Sequence, residues 1–145
     1  DVITLWDVIE HSTDPLELLQ EAYAHLRTGG WLIVETGNYK SADRVSGGLG
    51  HWMYQLDHRW YFSPESAGNL LTSIGMTNCT ICPTVLRPDW YGNPEFPGPS
   101  RFHLIEDILK EPLRSIQLIQ RHTNLRKASK WKYAGLGIFA IAAKK

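Results

Sequence analysis

The chain has 145 residues, 43% of them hydrophobic, and its 15 lysines and arginines balance 15 aspartates and glutamates. That is enough apolar material for one ordinary globular domain with a core, and no run of roughly eighteen apolar residues is present to make a membrane-spanning helix. The neutral total hides an asymmetry: every acidic residue falls at or before Glu111, while Arg114, Arg121, Arg126, Lys127, Lys130, Lys132, Lys144 and Lys145 make the last segment basic. Such a block either faces a phosphate-bearing partner or is a solvated helix face that offsets the acidic body.

Asp1 is followed at once by a strand-like run, so no signal peptide is read here, and a start inside a strand without methionine is expected to mark a boundary within a longer domain. Val2 to Trp6 is apolar and rich in β-branched and aromatic residues over a strand length, as a buried parallel strand requires. Asp14-Pro15-Leu16-Glu17 then supplies a capping carboxylate, a proline at the first helical position and an acidic first turn. The spacing of Leu16, Leu19, Ala22, Tyr23 and Leu26 predicts a helix of about three turns that Gly29-Gly30 stops. Trp31 to Thr36 is a second apolar strand, and two such strands joined by an amphipathic helix form a βαβ unit with parallel pairing.

Residues 37–62 lose this regularity. They mix Gly47, Gly48 and Gly50 with Trp52, Tyr54, His58, Trp60 and Tyr61, and read as an aromatic-rich loop of the length that often carries function. Ser63-Pro64-Glu65-Ser66 is again a helix start, with Ala67, Leu70, Leu71 and Ile74 as the buried stripe before Gly75. Thr77 to Val85 reads as a strand, ended by the Pro- and Gly-rich stretch from Pro88 to Pro99. Cys79 and Cys82 fall in that strand, where an i, i+3 pair points to opposite faces, and no second pair completes a zinc site. Two thiols of this kind fit a reducing, cytoplasmic setting. From Arg101 the positions Phe102, Ile105, Ile108, Leu109, Ile116 and Ile119 keep helical spacing, with Pro112 dividing two helices. Leu136 to Ala143 is a last strand. The expected organisation is a single partial α/β domain over 1–145, with a loop at 37–62 and a loop plus basic helical insertion at 86–134.

Three segments together resemble a known family: Asp1-Val-Ile-Thr-Leu-Trp-Asp-Val-Ile-Glu-His11, Leu26-Arg-Thr-Gly-Gly-Trp-Leu-Ile-Val-Glu35 and His58-Arg-Trp-Tyr-Phe-Ser-Pro-Glu-Ser66. They are similar to class I S-adenosylmethionine-dependent methyltransferases of the ubiquinone-biosynthesis and methyltransferase-domain type. The first resembles that family's fourth strand and the acidic-histidine turn after it. The second resembles the approach to its fifth strand, with Thr28 where proline is usual, and the third resembles the segment leading to its next helix. The resemblance covers about residues 1–85 and 135–143. It implies the rear, carboxy-terminal half of a Rossmann-like sheet, with the last strand antiparallel beside the fifth. The family's glycine-rich cofactor loop and the acidic residue ending its second strand are not among these residues. Gly47-Gly48-Leu49-Gly50 does not replace the loop, because no apolar strand precedes it and no helical period follows. The chain by itself is therefore expected to hold S-adenosylmethionine weakly and to be inactive.

In an open α/β sheet, ligands bind beyond the carboxyl ends of the strands. The resemblance implies that Leu5, Trp6, Asp7 and Val8 line the methyl-donor side and that His58, Trp60, Tyr61 and Asn38 bound a small-molecule acceptor, with oxygen favoured slightly over carbon or nitrogen. Methyl transfer from sulfonium is an in-line displacement, so the protein supplies alignment and, where the acceptor must lose a proton, a base. His11, with Asp7 beside it, is the candidate base; its alternative role is to order the turn before Asp14. Asp7, Glu10 and His11 also resemble the cluster that binds a divalent ion in ubiquinone-type O-methyltransferases, but no further ligand is identified and no metal is expected. The competing functional class is a non-catalytic module that docks anionic lipid, nucleic acid or protein through basic residues 113–132. Nucleic acid is disfavoured because the aromatic residues are not interleaved with the basic ones. An uncovered strand 2–6 further predicts self-association through its edge, or pairing with an amino-terminal half.

Overall fold

The computed structural model describes residues 1–83, 120, 123–124, 127–128 and 130–145. The first unit is β1 (Val2–Trp6), α1 (Pro15–His25) and β2 (Trp31–Gly37). The Asp14 carboxylate accepts from the amides of Leu16 at 2.9 Å and Glu17 at 3.1 Å, which satisfies donors that a helix start otherwise leaves unpaired. The buried stripe of α1 begins at Pro15 and runs through Leu19 to Leu26. Leu16, expected on that face, is 39% exposed, because one residue of rotation carries it about 100° off the stripe. At the other end of α1, Lys145 donates from Nζ to the carbonyls of Tyr23 at 2.8 Å and Leu26 at 2.7 Å. A cation on the last carbonyls complements the negative end of the helix dipole.

β1 and β2 are parallel, in register from Val2 opposite Trp31 to Trp6 opposite Glu35. This is the βαβ unit read from the sequence. The sheet has four strands in the order β1-β2-β4-β3, with β3 at Thr77–Pro83 and β4 at Ile138–Lys144. β4 is antiparallel to both β2 and β3, so the last strand inserts beside β2 as expected. Its core face is dense: Phe139, Ile141 and Ala143 are fully buried against Leu32 and Val34 of β2, Leu19 and Leu26 of α1, and Leu71 of α3 (Pro64–Ser73). α3 opens with a capping box in which Ser63 Oγ accepts from the Ser66 amide and Ser66 Oγ from the Ser63 amide. Ala67 and Leu71 carry most of its burial, with Leu70 and Ile74 half-buried beside them.

The loop expected at 37–62 is more ordered than its composition suggests. It contains α2 (Ala42–Gly47), capped by Ser41 Oγ on the Arg44 amide at 3.0 Å, and one 3-10 turn at Gly48–Gly50. Six residues followed by glycines are too short to display a helical period, so the cap is the only local signal. The two ends of this excursion meet where Asn38 bridges Phe62 and the Tyr39 amide donates to Phe62 O at 2.7 Å. That closure makes a compact surface loop rather than a wandering one.

Of the strand expected over Thr77 to Val85, β3 covers Thr77–Pro83, and residues 84 and 85 lie outside the described residues. Cys79 is exposed, Cys82 is half-buried, and both are free thiols. Most of the expected 86–134 insertion, including both helices around Pro112, lies outside the described residues. Within it, Gln120, Thr123, Asn124, Lys127 and Ala128 are helical. Among the described residues no helix is long and apolar enough to cross a membrane.

Candidate functional site

The turn after β1 is held from three directions. Asp7 takes a left-handed backbone (φ 50°), and its amide donates to Glu35 O of β2 at 3.2 Å. Aspartate tolerates this conformation better than most residues. The chain then turns into the interior, burying Ile9 at 1% and Glu10 at 3% exposure. From the far side, the amides of Arg59 and Trp60 both donate to Glu10 O, at 2.8 and 3.2 Å. The Trp60 indole Nε1–H donates to Ser12 O at 3.0 Å. The aromatic segment 58–61 is thereby pinned to the turn by main-chain bonds that depend little on side-chain identity.

A small crevice forms between these pieces, lined by Glu10, Thr36, Gly37, Met53, His58, Trp60 and Tyr61. Its inner wall is β2, where Gly37 has no room for a side chain: a Cβ there would stand 2.9 Å from Met53 Cε and 3.0 Å from the Trp52 ring. Its outer wall is aromatic, with Trp60 and Tyr61 partly exposed and Tyr61 packed against Tyr39 and Tyr54, ring centroids 5.6 Å apart in each pair. A second layer fixes the loop. His51 Nε2 donates to the Asp43 carboxylate at 2.9 Å while its Nδ1 accepts from the Met53 amide at 3.2 Å, which seats Met53 in the crevice wall.

The polar end of the crevice is Glu10. Burial pushes its carboxyl pKa up, and the nearby Asp7 charge adds to that; its own backbone amide, Thr36 and His11 pull the other way without reversing it. Among the described residues, Oε2 of Glu10 is buried with no hydrogen-bond partner. A polar atom withdrawn from water and left unpaired costs about 1–3 kcal/mol, and such an atom calls for a functional reason. His11 and His58 stand beside it, ring centroids 4.7 Å apart and nearly perpendicular. His11 Nδ1 donates to Asp57 O at 3.2 Å, with the Asp57 carboxylate 3.4 Å away. His58 Nδ1 donates to Met53 O at 2.8 Å.

Of the residues singled out by sequence, the structure brings His58, Trp60 and Tyr61 into the crevice and places His11 at its polar end. Asn38 takes a different place. It is fully buried; its Nδ2 donates to Tyr133 O and Leu136 O at 2.9 and 2.8 Å, and its Oδ1 accepts from the Lys40 amide at 2.9 Å. Its Nδ2 ties the end of β2 to the turn before β4 and its Oδ1 closes the local turn at Lys40, so the side chain is committed to the fold rather than presented to a ligand. Leu5, Trp6, Asp7 and Val8 lie along the carboxyl end of β1 outside the crevice, with Trp6 37% and Val8 39% exposed. Asp7 is also outside the group of potential metal ligands, which among the described residues is Glu10, His11 and His58. Thr36 and Gly37 stand at the carboxyl end of the second strand, on the edge where a sequence reading places ligands, whereas Met53 escapes such a reading, because nothing local announces that its segment meets them. For Gly37 the one available signal is a glycine directly after an apolar strand.

Residues 1–81 match the family described as "Methyltransferase domain". No curated protein matches the chain. Among solved structures, a SAM-dependent methyltransferase from Archaeoglobus fulgidus superposes with a TM-score of 0.58 at 21% identity. The match covers 100% of this chain and 59% of that one, so the likeness is one of fold and the chain spans well under two thirds of that structure.

Proposed function

The chain belongs to the methyltransferase-domain family, and from that premise we propose that it serves S-adenosylmethionine-dependent methyl transfer to a small acceptor seated in the crevice beside Glu10. When bound, S-adenosylmethionine supplies an electrophilic methyl group on a sulfonium centre. Trp6 and Val8 fit one wall of its site: they are large apolar side chains left partly uncovered at the carboxyl end of a parallel strand, where ligands of open α/β sheets bind. Leu5 and Asp7 complete that edge. Trp60 and Tyr61 hold a flat or apolar acceptor body, and the polar group of the acceptor, an oxygen in preference to carbon or nitrogen, points to Glu10, His11 and His58. Those three take up the proton that the acceptor loses as its lone pair displaces the sulfonium leaving group.

The observation that carries this reading is the unpaired, buried Oε2 of Glu10 at the end of an aromatic crevice. An aromatic wall with few convergent polar atoms is the lining chemistry of small-molecule sites, and the closed crevice must part at Trp60 and Tyr61 to admit the acceptor. Among the described residues no strand is followed directly by a glycine-rich loop, and the proposal holds that this chain alone binds the cofactor weakly and turns over little. Calorimetric titration with S-adenosylhomocysteine tests both parts. Weak or absent heat with residues 1–145, and clear binding by a longer polypeptide that adds a strand and glycine-rich loop ahead of β1, is the expected result. Failure of the longer polypeptide to bind would overturn the methyltransferase reading, and tight binding by residues 1–145 would overturn the weak-binding part.

A further inference from the structure

Each carboxylate on the excursion between β2 and α3, or just after it, already has a basic partner. Asp43 is held by His51, Asp57 by His11 and Glu65 by Lys40, at 2.9, 3.4 and 3.7 Å. Arg44, next to Asp43 on α2, makes no ion pair among the described residues. Its guanidinium is nonetheless held still. Nε donates to Tyr39 O at 2.7 Å, Nη1 donates to the Tyr54 hydroxyl at 3.4 Å, and Cζ stands 4.2 Å from the Tyr39 ring centroid. Nη2 has no hydrogen-bond partner among the described residues. The Tyr54 hydroxyl, while accepting from Arg44, keeps its own proton to donate. This fixed cation stands beside the crevice: Tyr39 and Tyr54, the two rings it touches, are the two that flank Tyr61, and Tyr61 lines the crevice.

We infer that Arg44, with the Tyr54 hydroxyl, determines specificity for the acceptor and selects a flat molecule that carries a carboxylate on the side of Tyr61. The inference rests on the acceptor reading above and names the class of acceptor. Charge decides which way round such a molecule lies. The Glu10 and Asp7 carboxyls occupy the polar end and repel an anion there, whereas a guanidinium fork matches a carboxylate with two parallel bonds. One cation suits a single negative charge; phosphate carries up to about two and is met by several donors. Because three contacts already order the Arg44 side chain, little further freedom is lost when the anion arrives. Arg44 touches neither the reacting oxygen nor the methyl group, so it acts in recognition and not in the chemical step.

Two small probes test this without turnover. The isotopically labelled chain is titrated with benzoate and with benzamide, its uncharged counterpart of the same shape. The Arg44 Nε–H resonance is followed by nuclear magnetic resonance, and circular dichroism reports folding. The expected result is a saturable shift with benzoate at a concentration on the order of millimolar, and binding of benzamide weaker by about tenfold or more. Arg44→Gln should remove that preference, and Arg44→Lys, which keeps the charge and loses the fork, should keep only part of it. Arg27→Gln, whose guanidinium pairs with Asp1 at the amino end of β1, should leave it unchanged. A residue that only clips the loop would alter stability and not this ratio. Equal binding of the two probes, a preference undiminished in folded Arg44→Gln or in Arg44→Lys, or displacement of benzoate by an equal concentration of inorganic phosphate would overturn the assignment. S-adenosylhomocysteine binding is read separately by heat. A chain that prefers benzoate, but whose longer form never binds the cofactor product, therefore sinks the methyltransferase reading alone, and the converse sinks only the carboxylate.

Discussion

Glu10 is the residue at which stability and use pull apart most clearly. Its folded-state pKa is raised by burial, so the folded protein holds that proton more tightly than the unfolded chain does. The sign follows directly: its contribution is most favourable below the ordinary carboxylate value, and it erodes as pH rises through the higher folded value. Glu10→Gln should therefore flatten the pH dependence of stability above the ordinary carboxylate range, and should melt higher than the parent at neutral pH. Thermal melts across a pH series check this; a variant that melts lower at every pH would show that the carboxylate is satisfied in a way the structure does not record. Trp60→Phe keeps the ring but removes the Nε1–H bond to Ser12 O, at an expected cost of about 0.5–1.5 kcal/mol in chemical denaturation. Sequence alone brings His11, His58, Trp60 and Tyr61 forward because their types stand out. It cannot show that Glu10 is the buried one or that Asn38 is spent on two carbonyls, since both facts depend on segments about a hundred residues away or across a loop.

Elements were legible where a local signal sits at each end. α1 and α3 both begin at a capping residue followed by proline, and the structure starts both helices at that proline. Asp14→Ala should lower stability by about 1 kcal/mol in denaturant unfolding, with no change in the far-ultraviolet spectrum of the folded state. α2 gives no such signal, because six residues offer less than two turns of period. Its place is set from outside: His51 reaches back to Asp43, and Gly37 leaves space for Met53 and Trp52. Gly37→Ala would drive a methyl group to within 3 Å of both side chains, and overpacking of that kind costs about 1–3 kcal/mol. A melting temperature unchanged by Gly37→Ala would mean that the 51–53 segment yields freely.

For the whole molecule, the sheet order places β1 at one edge, with Val2 58% and Trp6 37% exposed. An uncovered parallel strand is a template for another chain, so residues 1–145 are expected to self-associate as concentration rises. Sedimentation velocity over a concentration series measures this, and a single monomeric species throughout would count against it. The βαβ order is readable from apolar runs, and the place of the antiparallel last strand beside β2 from resemblance alone, because strand adjacency is a long-range property that periodicity does not encode. That position has a kinetic meaning. β3 is hydrogen-bonded only to β4 in the described sheet, and β4 leaves the ribosome more than fifty residues after β3. A nascent chain must therefore hold β3 and α3 without their sheet neighbour until β4 has emerged, an interval in which their apolar faces are available to chaperones. Translation arrested a few residues short of β4 should yield a chain that remains protease-sensitive from Pro64 onward, and emergence of β4 should convert it to the protected form in one step.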